Sequence, residues 1–339
     1  MKNMENKNLL NDTKIGFKYN AKDIILKDDA FQDSKSLMFT EWWYFDTTIK
    51  NGYAAQMNVR IASAFKKSIF IVYLRLELFK DGVRIFRNKK RYSLKDFYAS
   101  KERPYVKLGK KEVIKGTIDK KTGNLIFDIS ADFNDHSIDL RFRGITKGFK
   151  GKSGIPKGKK GKTKEGGWAV ILPKAEVNGK MKIKNKEIKV SGIGYHDHNW
   201  DVKIPIVINY GWLWGKIYLK NITVIWAKVF ETKKIASPLC IICKDKNGYR
   251  NLKAENIKLT IKDFIEKEGK MIPKNLNLKL KEEEILLNID IKVTNIDYEK
   301  VFGFSNYFRL HTKCKGFVNF ENSKEKIDDT FISEFLRFG

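Results

Sequence analysis

The chain is poor in proline, cysteine and histidine, and it has no long hydrophobic run. Its 339 residues include 6 Pro, 3 Cys and 4 His. No stretch approaches the roughly 18 consecutive apolar residues of a membrane-spanning helix. The polar residues 1–7 are not followed by an apolar run, which argues against a secretory signal. We therefore expect a cytoplasmic protein that could meet a membrane only at its surface.

The three cysteines are too few for a disulfide framework. Cys240 and Cys243 form a C-x-x-C pair inside the apolar run of residues 238–243, and Cys314 lies alone. On a strand, alternation places the first two sulfur atoms on opposite faces, which does not suit a redox or metal pair. We expect buried free thiols, as in a reducing compartment.

Acidic residues are also scarce relative to basic ones, and the formal net charge is +28. Such a charge attracts phosphate-bearing partners, either nucleic acid or an anionic membrane, but a lysine-rich solvated surface gives the same value. No ribonucleoprotein, helix-turn-helix or zinc-finger motif occurs, so nucleic-acid binding is a minor hypothesis, which predicts steeply salt-dependent affinity. No dinucleotide fingerprint, phosphate loop or flavin motif occurs either, and we expect no cofactor.

Alternating apolar and polar residues dominate what is present. Leu74, Leu76 and Leu78 alternate with Arg75 and Glu77, and turn dipeptides such as Asp81-Gly82 separate successive runs. This pattern is typical of antiparallel strands joined by hairpins. We predict strands at 42–49, 53–61, 69–79, 83–92, 113–118, 125–133, 137–144, 168–177, 182–190, 210–219, 222–230, 237–243, 257–264, 276–280, 285–293 and 307–320, and one short helix at 326–336.

The length suits two domains, and closed up-and-down barrels remove exposed sheet edges. We predict an all-β fold with two consecutive antiparallel barrels, the first at residues 1–200 and the second at 201–339. Residues 1–20 should be loosely ordered. Residues 147–165 form a basic loop, with eight lysines between Lys147 and Lys164. It is either a solvated connector or a contact with anionic lipid headgroups or an acidic ligand end.

The densest ionisable segment is residues 195–200, Tyr-His-Asp-His-Asn-Trp. On a strand, His196, His198 and Trp200 share one face, and Tyr195 and Asp197 lie on the other. The histidines could bind a metal, could be buried and hydrogen-bonded, or could move a proton beside an aromatic wall. Because no third metal ligand is evident, we name no metal site.

A second unusual segment, residues 41–45, reads Glu-Trp-Trp-Tyr-Phe. A strand places Trp42 and Tyr44 on one face and Trp43 and Phe45 on the other, so part of this segment must belong to the core. Aromatic side chains suit an apolar ligand and can stabilise a cationic centre. The candidate ligand-binding residues are Trp42, Tyr44, Tyr195, Trp212, Trp214 and Trp226.

These two segments, residues 41–45 and the Gly192-x-Gly194 run that continues to Trp200, resemble the carotenoid 1,2-hydratase and AttH-like family. The family consists of tandem lipocalin-type proteins and includes fungal cyclisation catalysts. The resemblance implies two lipocalin-like barrels with a pocket for a polyene, terpenoid or similar apolar molecule.

In the hydratases, an acid protonates a terminal alkene, aromatic rings stabilise the tertiary cation, and water captures it. Carried over to this chain, the resemblance implies that His198 and Trp200 handle the proton and face the cation, supported by His196 or Asp197. The family also has a Tyr and an Asp on a following strand, where residues 224–228 here read Val-Ile-Trp-Ala-Lys. Asp197 or Asp201 would have to replace that acid.

The leading hypothesis is acid-catalysed hydration of an isoprenoid alkene by a protein whose partner is a hydrophobic small molecule. The alternatives are a lipocalin-like carrier without turnover and an isomerase or cyclase that acts on a terpenoid or polyketide. The sequence does not indicate an oligomeric state.

Overall fold

The computed structural model describes residues 11, 13–33, 38–64, 69–152, 167–201, 211–232, 234–246, 248–301 and 305–338. Within these residues the chain forms 23 strands and four short 3-10 turns. The strands are β1 Lys14–Ile15, β2 Lys22–Asp23, β3 Met38–Ile49, β4 Tyr53–Ala64, β5 Ile69–Lys80, β6 Val83–Tyr92, β7 Phe97–Ala99, β8 Tyr105–Leu108, β9 Lys111–Ile118, β10 Leu125–Phe133, β11 His136–Gly144, β12 Phe149–Lys152, β13 Gly167–Ile183, β14 Lys186–Trp200, β15 Gly211–Tyr218, β16 Ile222–Phe230, β17 Ile235–Lys244, β18 Gly248–Asn251, β19 Ile257–Lys267, β20 Lys270–Glu282, β21 Ile285–Val301, β22 Ser305–Phe320 and β23 Ser323–Phe338. The 3-10 turns are Leu26–Asp29, Lys50–Gly52, Leu94–Asp96 and Ala254–Asn256.

The strands form two sheets. The first runs in the order β6-β5-β4-β3-β14-β13-β11-β10-β9-β8-β7, with β12 and β2 attached, and nearly closes into a barrel. The second runs in the order β1-β17-β16-β15-β23-β22-β21-β20-β19, with β18 attached, and curls into a half-barrel. This confirms the predicted all-β fold with two tandem barrel units.

Nearly all of the first sheet precedes Trp200 and nearly all of the second follows Gly211. The exception is β1, which pairs in parallel with β17 of the second sheet. The predicted split at residues 200 and 201 into two domains stays a prediction. Most of the predicted basic loop, residues 153–165, lies outside the described residues, whereas Phe149–Lys152 forms β12 against β13.

Alternation along β5 shows why these segments form a barrel. Leu74, Leu76 and Leu78 are buried in the core of the first sheet. Arg75 and Glu77 point to the opposite face, where Arg75 reaches Glu299 of the second sheet. The period of two therefore gives the barrel an apolar interior and a charged contact with the second sheet.

The predicted helix at 326–336 is wrong, because residues 323–338 form strand β23 and pair along their length with β22. Ile327, Phe331 and Phe335 all lie in the core of the second sheet. Their spacing of four residues keeps side chains on one face of either a helix or a strand, since four is also a multiple of two. Pairing with β22 decides in favour of the strand.

The predicted strand at 182–190 is also wrong in its limits, because it crosses a hairpin turn. The turn lies at Lys184 and Asn185, which both have positive φ values, 49° and 65°. Such values are those of a primed turn, which matches the twist of a hairpin. Gly192 and Gly194 lie inside β14, which begins directly after this turn.

The cysteine prediction is confirmed for the described residues: Cys240, Cys243 and Cys314 are buried and free. Cys240 lies in the core of the second sheet, and Cys243 points to the other face, toward the first sheet. Burial raises the pKa of Cys240 to about 12 and that of Cys314 to about 12. These thiols are therefore unreactive at neutral pH. Among the described residues no helix is long and apolar enough to cross a bilayer.

Candidate functional site

Strand β14 carries ionisable side chains on both of its faces. It pairs with β3 so that His196 lies opposite Phe45 and Asp197 lies opposite Tyr44. His196 and His198 point into the first barrel, whereas Tyr195 belongs to the cluster between the two sheets. The predicted division of residues 195–200 between two faces is thus confirmed, and it creates two separate groups.

The glycines of this strand are required by close packing. A Cβ atom at residue 192 would lie 2.1 Å from the backbone oxygen of Thr48 on β3. At residue 194 it would lie 2.3 Å from the ring of Phe142. The Gly-x-Gly pattern therefore holds β14 close to its neighbours and fixes the register of the residues that follow.

The first group, which we call the inner histidine pair, lies inside the first barrel. His196 Nε2 is 3.0 Å from Asp29 Oδ2, and His196 Nδ1 is 3.0 Å from the backbone oxygen of Tyr44. His198 Nε2 is 2.9 Å from Glu41 Oε1, and His198 Nδ1 is 3.3 Å from Asp29 Oδ1. Two carboxyl groups therefore fix the orientation of both imidazole rings.

Aromatic rings cover the inner histidine pair. Phe45 stacks on His196 with 3.7 Å between ring centroids, and Trp43 stacks on His198 at 4.7 Å. Both histidines and Glu41 are fully buried. Burial lowers the pKa of His198 to about 4 and raises that of Glu41 well above its usual value. His198 is therefore an uncharged imidazole at neutral pH.

Both histidines contact carboxyl groups, and their nitrogen atoms are not arranged around a common position for a metal ion. Among the described residues no three His, Cys, Asp or Glu side chains are arranged to hold a metal ion. Trp200 lies beside the pair, with its ring centroid 5.3 Å from that of His198, and it packs on the backbone of Gly167. A Cβ atom at residue 167 would lie 2.0 Å from this indole.

The second group, which we call the inter-sheet cluster, lies on the other face of β14. Asp197, which belongs to the segment 195–200, is the first of its three carboxyl groups. Asp197 Oδ2 accepts hydrogen bonds from Tyr195 at 2.9 Å and from the Trp168 indole at 3.0 Å. Asp197 Oδ1 accepts one from the Asn199 amide at 3.0 Å. All three donors are uncharged.

A second carboxyl group joins the two sheets. Glu334 Oε1 accepts hydrogen bonds of 2.7 Å from Tyr44 of the first sheet and from Tyr307 of the second. Glu334 Oε2 accepts a 2.9 Å hydrogen bond from the Trp214 indole. The Trp214 ring stacks on Tyr195 with 5.3 Å between centroids, which connects Glu334 to the residues around Asp197.

The third carboxyl group, Asp46, is paired with two cations. Its oxygen atoms lie 3.1 Å from Lys216 Nζ and 3.0 Å from Arg309 NH1. Arg309 also donates 3.1 Å hydrogen bonds to Tyr44 and Gln56. Lys216 Nζ lies 4.9 Å from the ring centroid of Tyr195, so an ammonium ion rests on the aromatic part of the cluster.

The surroundings give these buried acids different proton affinities. Burial raises the pKa of Asp197 to about 7, although the Trp168 and Tyr195 hydrogen bonds oppose the shift. Burial alone would raise the pKa of Asp46, but Lys216 and Arg309 lower it to about 2. Asp46 is therefore always ionised, whereas Asp197 exchanges its proton near neutral pH.

A cleft of about 470 Å³ opens between the sheets next to this cluster. Its inner end includes Lys216 and Tyr218 of β15, and the Tyr218 hydroxyl is buried without a hydrogen-bond partner among the described residues. Thr48, Asn178 and Ser191 contribute to its walls. Tyr195 and Asp197 do not line the cleft. They are connected to it through Lys216, whose ammonium group lies over the Tyr195 ring, and the Tyr195 hydroxyl donates to Asp197.

The structure separates the residues that the sequence suggested as catalytic. His196, His198 and Trp200 lie in the first barrel, and Asp197 lies between the sheets. Of the suggested ligand-binding residues, five belong to the aromatic cluster between the sheets: Trp42, Tyr44, Tyr195, Trp212 and Trp214. Trp226 does not, because it packs in the core of the second sheet.

Several site residues were missed by sequence reasoning. Asp29 and Glu41, the partners of the histidines, were not recognised as acids of the site. Asp46, Lys216 and Glu334 come from three strands of two sheets, and no local motif connects them. One signal was available: Lys216 lies in phase with Trp214 and Tyr218, so a charge occupies an otherwise aromatic strand face.

No protein-family model matches the chain, and no curated protein sequence matches it. Solved structures do. An AttH candidate protein from Nitrosomonas europaea superposes with a TM-score of 0.65 at 11% identity, covering 94% of this chain and 98% of that one. Kievitone hydratase from Nectria haematococca gives 0.57 at 11% identity, covering 96% and 97%. The protein CghA gives 0.52 at 9% identity, covering 98% and 96%.

These matches extend over nearly the full length of each protein, so they concern the whole two-sheet arrangement and not one barrel. At such low identity they establish the fold and not the chemistry. The motifs at 41–45 and 192–200 suggested a resemblance to the AttH-like proteins, and the fold confirms it. The chain has the lipocalin-like tandem fold of those proteins, which kievitone hydratase shares.

Proposed function

We propose that the inter-sheet cluster is an acid site that adds water to an alkene of an apolar, isoprenoid-like substrate. The observation that carries this proposal is the environment of Asp197. Its carboxyl group is buried among aromatic rings, it is hydrogen-bonded only to uncharged donors, and its pKa is raised to about 7. Such a carboxyl group can hold a proton at neutral pH and release it to a weak base.

In this mechanism the protonated carboxyl group of Asp197 transfers its proton to one alkene carbon, and a tertiary carbocation forms at the other. The carboxylate that remains is stabilised by Tyr195, Trp168 and Asn199. A water molecule bonds to the cation and returns a proton to Asp197, so the net reaction is the addition of one water to the double bond.

The aromatic residues favour the charged intermediate. The stacked rings of Tyr195 and Trp214 already lie within 4.9 and 5.2 Å of the Lys216 ammonium group, which is the geometry of a cation–π contact. A carbocation on neighbouring faces of such rings is stabilised by the same ring quadrupole. Burial of these side chains also strengthens the contacts.

The inner histidine pair has a positioning role in this proposal. His198 is uncharged at neutral pH and fully buried, so it is a poor proton donor for a substrate between the sheets. Its bond to Glu41, together with that of His196 to Asp29, holds the inner face of β14. The outer face of the same strand then presents Tyr195 and Asp197.

The cleft beside Lys216 supplies a route for the substrate. Its lining includes Lys216, which contacts the ring of Tyr195, and the Tyr195 hydroxyl donates to Asp197. We propose that an alkene end enters this way when the Tyr195 and Tyr218 rings move.

Isotope incorporation tests the reaction. The protein is incubated with detergent-solubilised geranylgeraniol, squalene or an acyclic carotene in H₂¹⁸O and, separately, in D₂O, and the products are analysed by mass spectrometry. Hydration predicts uptake of both ¹⁸O and one carbon-bound deuterium. Asp197→Asn should lower the rate by about 100-fold or more, whereas Asn substitution of the exposed Asp139 should not change it.

Other outcomes contradict the proposal in distinct ways. Deuterium uptake without ¹⁸O would indicate an isomerase or cyclase. Tight binding of an unchanged lipid by both wild type and Asp197→Asn would indicate a carrier. Turnover that survives Asp197→Asn but is lost in His198→Ala would move the acid to the inner histidine pair.

A further inference from the structure

A basic segment with exposed apolar side chains includes both edge strands of the first sheet, β6 and β7, and the turn that joins them. Between residues 84 and 111 the chain has eleven Lys or Arg and only two Asp or Glu. Strands β6, β7 and β8 and the turn Leu94–Asp96 form this region. We call it the β6–β8 surface; it is separate in sequence from the basic loop at 147–165.

Backbone pairing shows that its parts are neighbours. Tyr98 of β7 lies opposite Lys107 of β8. The amide of Gly109 donates a 2.7 Å hydrogen bond to the backbone oxygen of Asp96, which brings Lys110 next to Lys95. On β6, Lys89 and Arg91 pair with Arg75 and Tyr73 of β5 and share their outer face, whereas Lys90 pairs with Leu74 of the barrel core. Arg91 precedes Leu94 by three residues.

Four of the eleven basic residues are paired with carboxylates of the protein, two of them being Lys101 with Asp33 and Lys111 with Asp132. Arg84 and Arg87 form ion pairs with Asp297 and Glu299 of the second sheet. By contrast, among the described residues no carboxylate lies within ion-pair distance of five exposed basic residues: Lys89, Lys90, Arg91, Lys95 and Lys110. This surface therefore attracts anions from solution.

Two large side chains in the middle of these charges are exposed. Leu94 is 52% exposed and Tyr98 is 56% exposed. Between them in the chain, Phe97 turns to the barrel interior and packs on Phe31 and Phe70 with ring centroids 5.6 and 6.0 Å apart. The apolar residues at the surface are therefore continuous with the core of the barrel.

We propose that the β6–β8 surface docks the protein on an anionic lipid bilayer, with Leu94 and Tyr98 inserted at the headgroup boundary and the lysines on the phosphates. Basic residues near a bilayer and apolar side chains that enter it together produce reversible peripheral binding. A nucleic acid would use the same charges, but it would gain nothing from an exposed leucine. This combination favours the bilayer.

Co-sedimentation with vesicles tests the proposal on the full chain. Vesicles of phosphatidylcholine and phosphatidylglycerol at 7:3 are compared with pure phosphatidylcholine. The triple variant Lys89→Gln, Arg91→Gln, Lys95→Gln should lower the partition coefficient by about fivefold for each charge removed. The matched control, Gln at exposed Lys258, Lys279 and Lys281 of the second sheet, removes the same net charge and should have little effect.

A second variant separates lipid from nucleic acid. Leu94→Ser with Tyr98→Ser should lower vesicle binding at least fivefold and leave binding to a single-stranded poly(U) oligonucleotide unchanged. The proposal is overturned if wild type does not bind the anionic vesicles, if both triple variants weaken binding equally, or if the serine variant binds vesicles as wild type does. Thermal melting of each variant checks that these exposed substitutions leave the fold intact.

Discussion

Tyr195 donates a 2.9 Å hydrogen bond to Asp197, and both side chains are buried between the two sheets. The same phenol ring carries the Lys216 ammonium group 4.9 Å from its centroid. One residue thus connects the open cleft to a carboxyl group that is half protonated near neutral pH. This relationship is the basis of the proposed chemistry and of the expected pH dependence of stability.

Asp197 should make stability depend on pH. Its pKa of about 7 in the folded protein exceeds the unfolded value of about 3.9, so the folded state retains a proton that the unfolded state loses. Its contribution is fully present below about pH 4 and is lost as pH rises to 7. The total is about 4 kcal/mol, of which about 3 kcal/mol falls between pH 5 and 8.

Urea unfolding of wild type and Asp197→Asn at pH 5, 6, 7 and 8 measures this term. Because asparagine stays uncharged, the variant should gain about 3 kcal/mol relative to wild type over this range. A stability difference that does not change with pH would mean that Asp197 is already ionised at pH 5.

Glu41 should tolerate an uncharged side chain that still accepts hydrogen bonds, but it should not tolerate removal of the whole carboxyl group. Burial raises its pKa, and Glu41 Oε1 accepts a hydrogen bond from the Gln32 amide beside its contact with His198. Glu41→Gln should therefore cost less than about 1 kcal/mol, whereas Glu41→Ala should cost about 2 to 4 kcal/mol, because buried polar groups lose their partner. Chemical denaturation at pH 7 measures both.

Gln at the exposed Glu187, which pairs with Lys180, is the control for charge removal at the surface. It should change the free energy of unfolding by less than about 1 kcal/mol. If Glu41→Gln were as damaging as Glu41→Ala, the ionised carboxylate and not its shape would be what the inner histidine pair requires.

Substitution of Asp46 should lower the free energy of unfolding more than substitution of any other ionic residue of the inter-sheet cluster. Asp46→Ala leaves Lys216 and Arg309 buried without their counter-ion and should cost about 3 to 5 kcal/mol. Adding Lys216→Met should recover part of this loss, because the double variant buries one cation fewer. A double-mutant cycle by urea unfolding should give a coupling energy above about 1 kcal/mol.

An exposed acid provides the comparison. Asp328 pairs with Lys313 at the surface, and Asp328→Ala should cost no more than about 1 kcal/mol. Additive effects of the Asp46 and Lys216 substitutions would contradict the described contact between them.

Gly192 should resist substitution because of backbone, not side-chain, contacts. The Cβ atom of alanine would lie 2.1 Å from the Thr48 oxygen on β3, so the two strands must separate. We expect Gly192→Ala to cost more than about 2 kcal/mol by thermal or urea unfolding. Gly123→Ala, at a turn with φ of 73° and nothing nearby, should cost only about 1 kcal/mol. Equal costs would show that β3 and β14 can separate easily.

Sequence periodicity predicted most of the long strands and the faces of residues 195–200, because alternation fixes which neighbours share a side. It could not supply the partners across the sheet. Asp29 comes from a 3-10 turn that precedes β3, and its contact with His196 depends on how that turn packs against the barrel.

The inter-sheet cluster was harder to predict, since its members come from the two sheets. Tyr44 and Glu334 are separated by 290 positions in the chain and meet only because β3 and β23 face each other. Periodicity also misled at the end of the chain, where Ile327, Phe331 and Phe335 suited a helix as well as a strand. Tertiary pairing, which no local pattern records, decided both cases.

The proposed acid role of Asp197 requires that its carboxyl group carry a proton near neutral pH. Difference infrared spectroscopy of wild type and Asp197→Asn, recorded from pH 5 to 9, detects the carbonyl stretch of a protonated carboxyl group. We predict a band that is present in wild type at pH 6, absent in the variant, and lost with a midpoint near pH 7. A wild-type spectrum without that band at pH 6 would show that Asp197 is ionised and cannot be the acid.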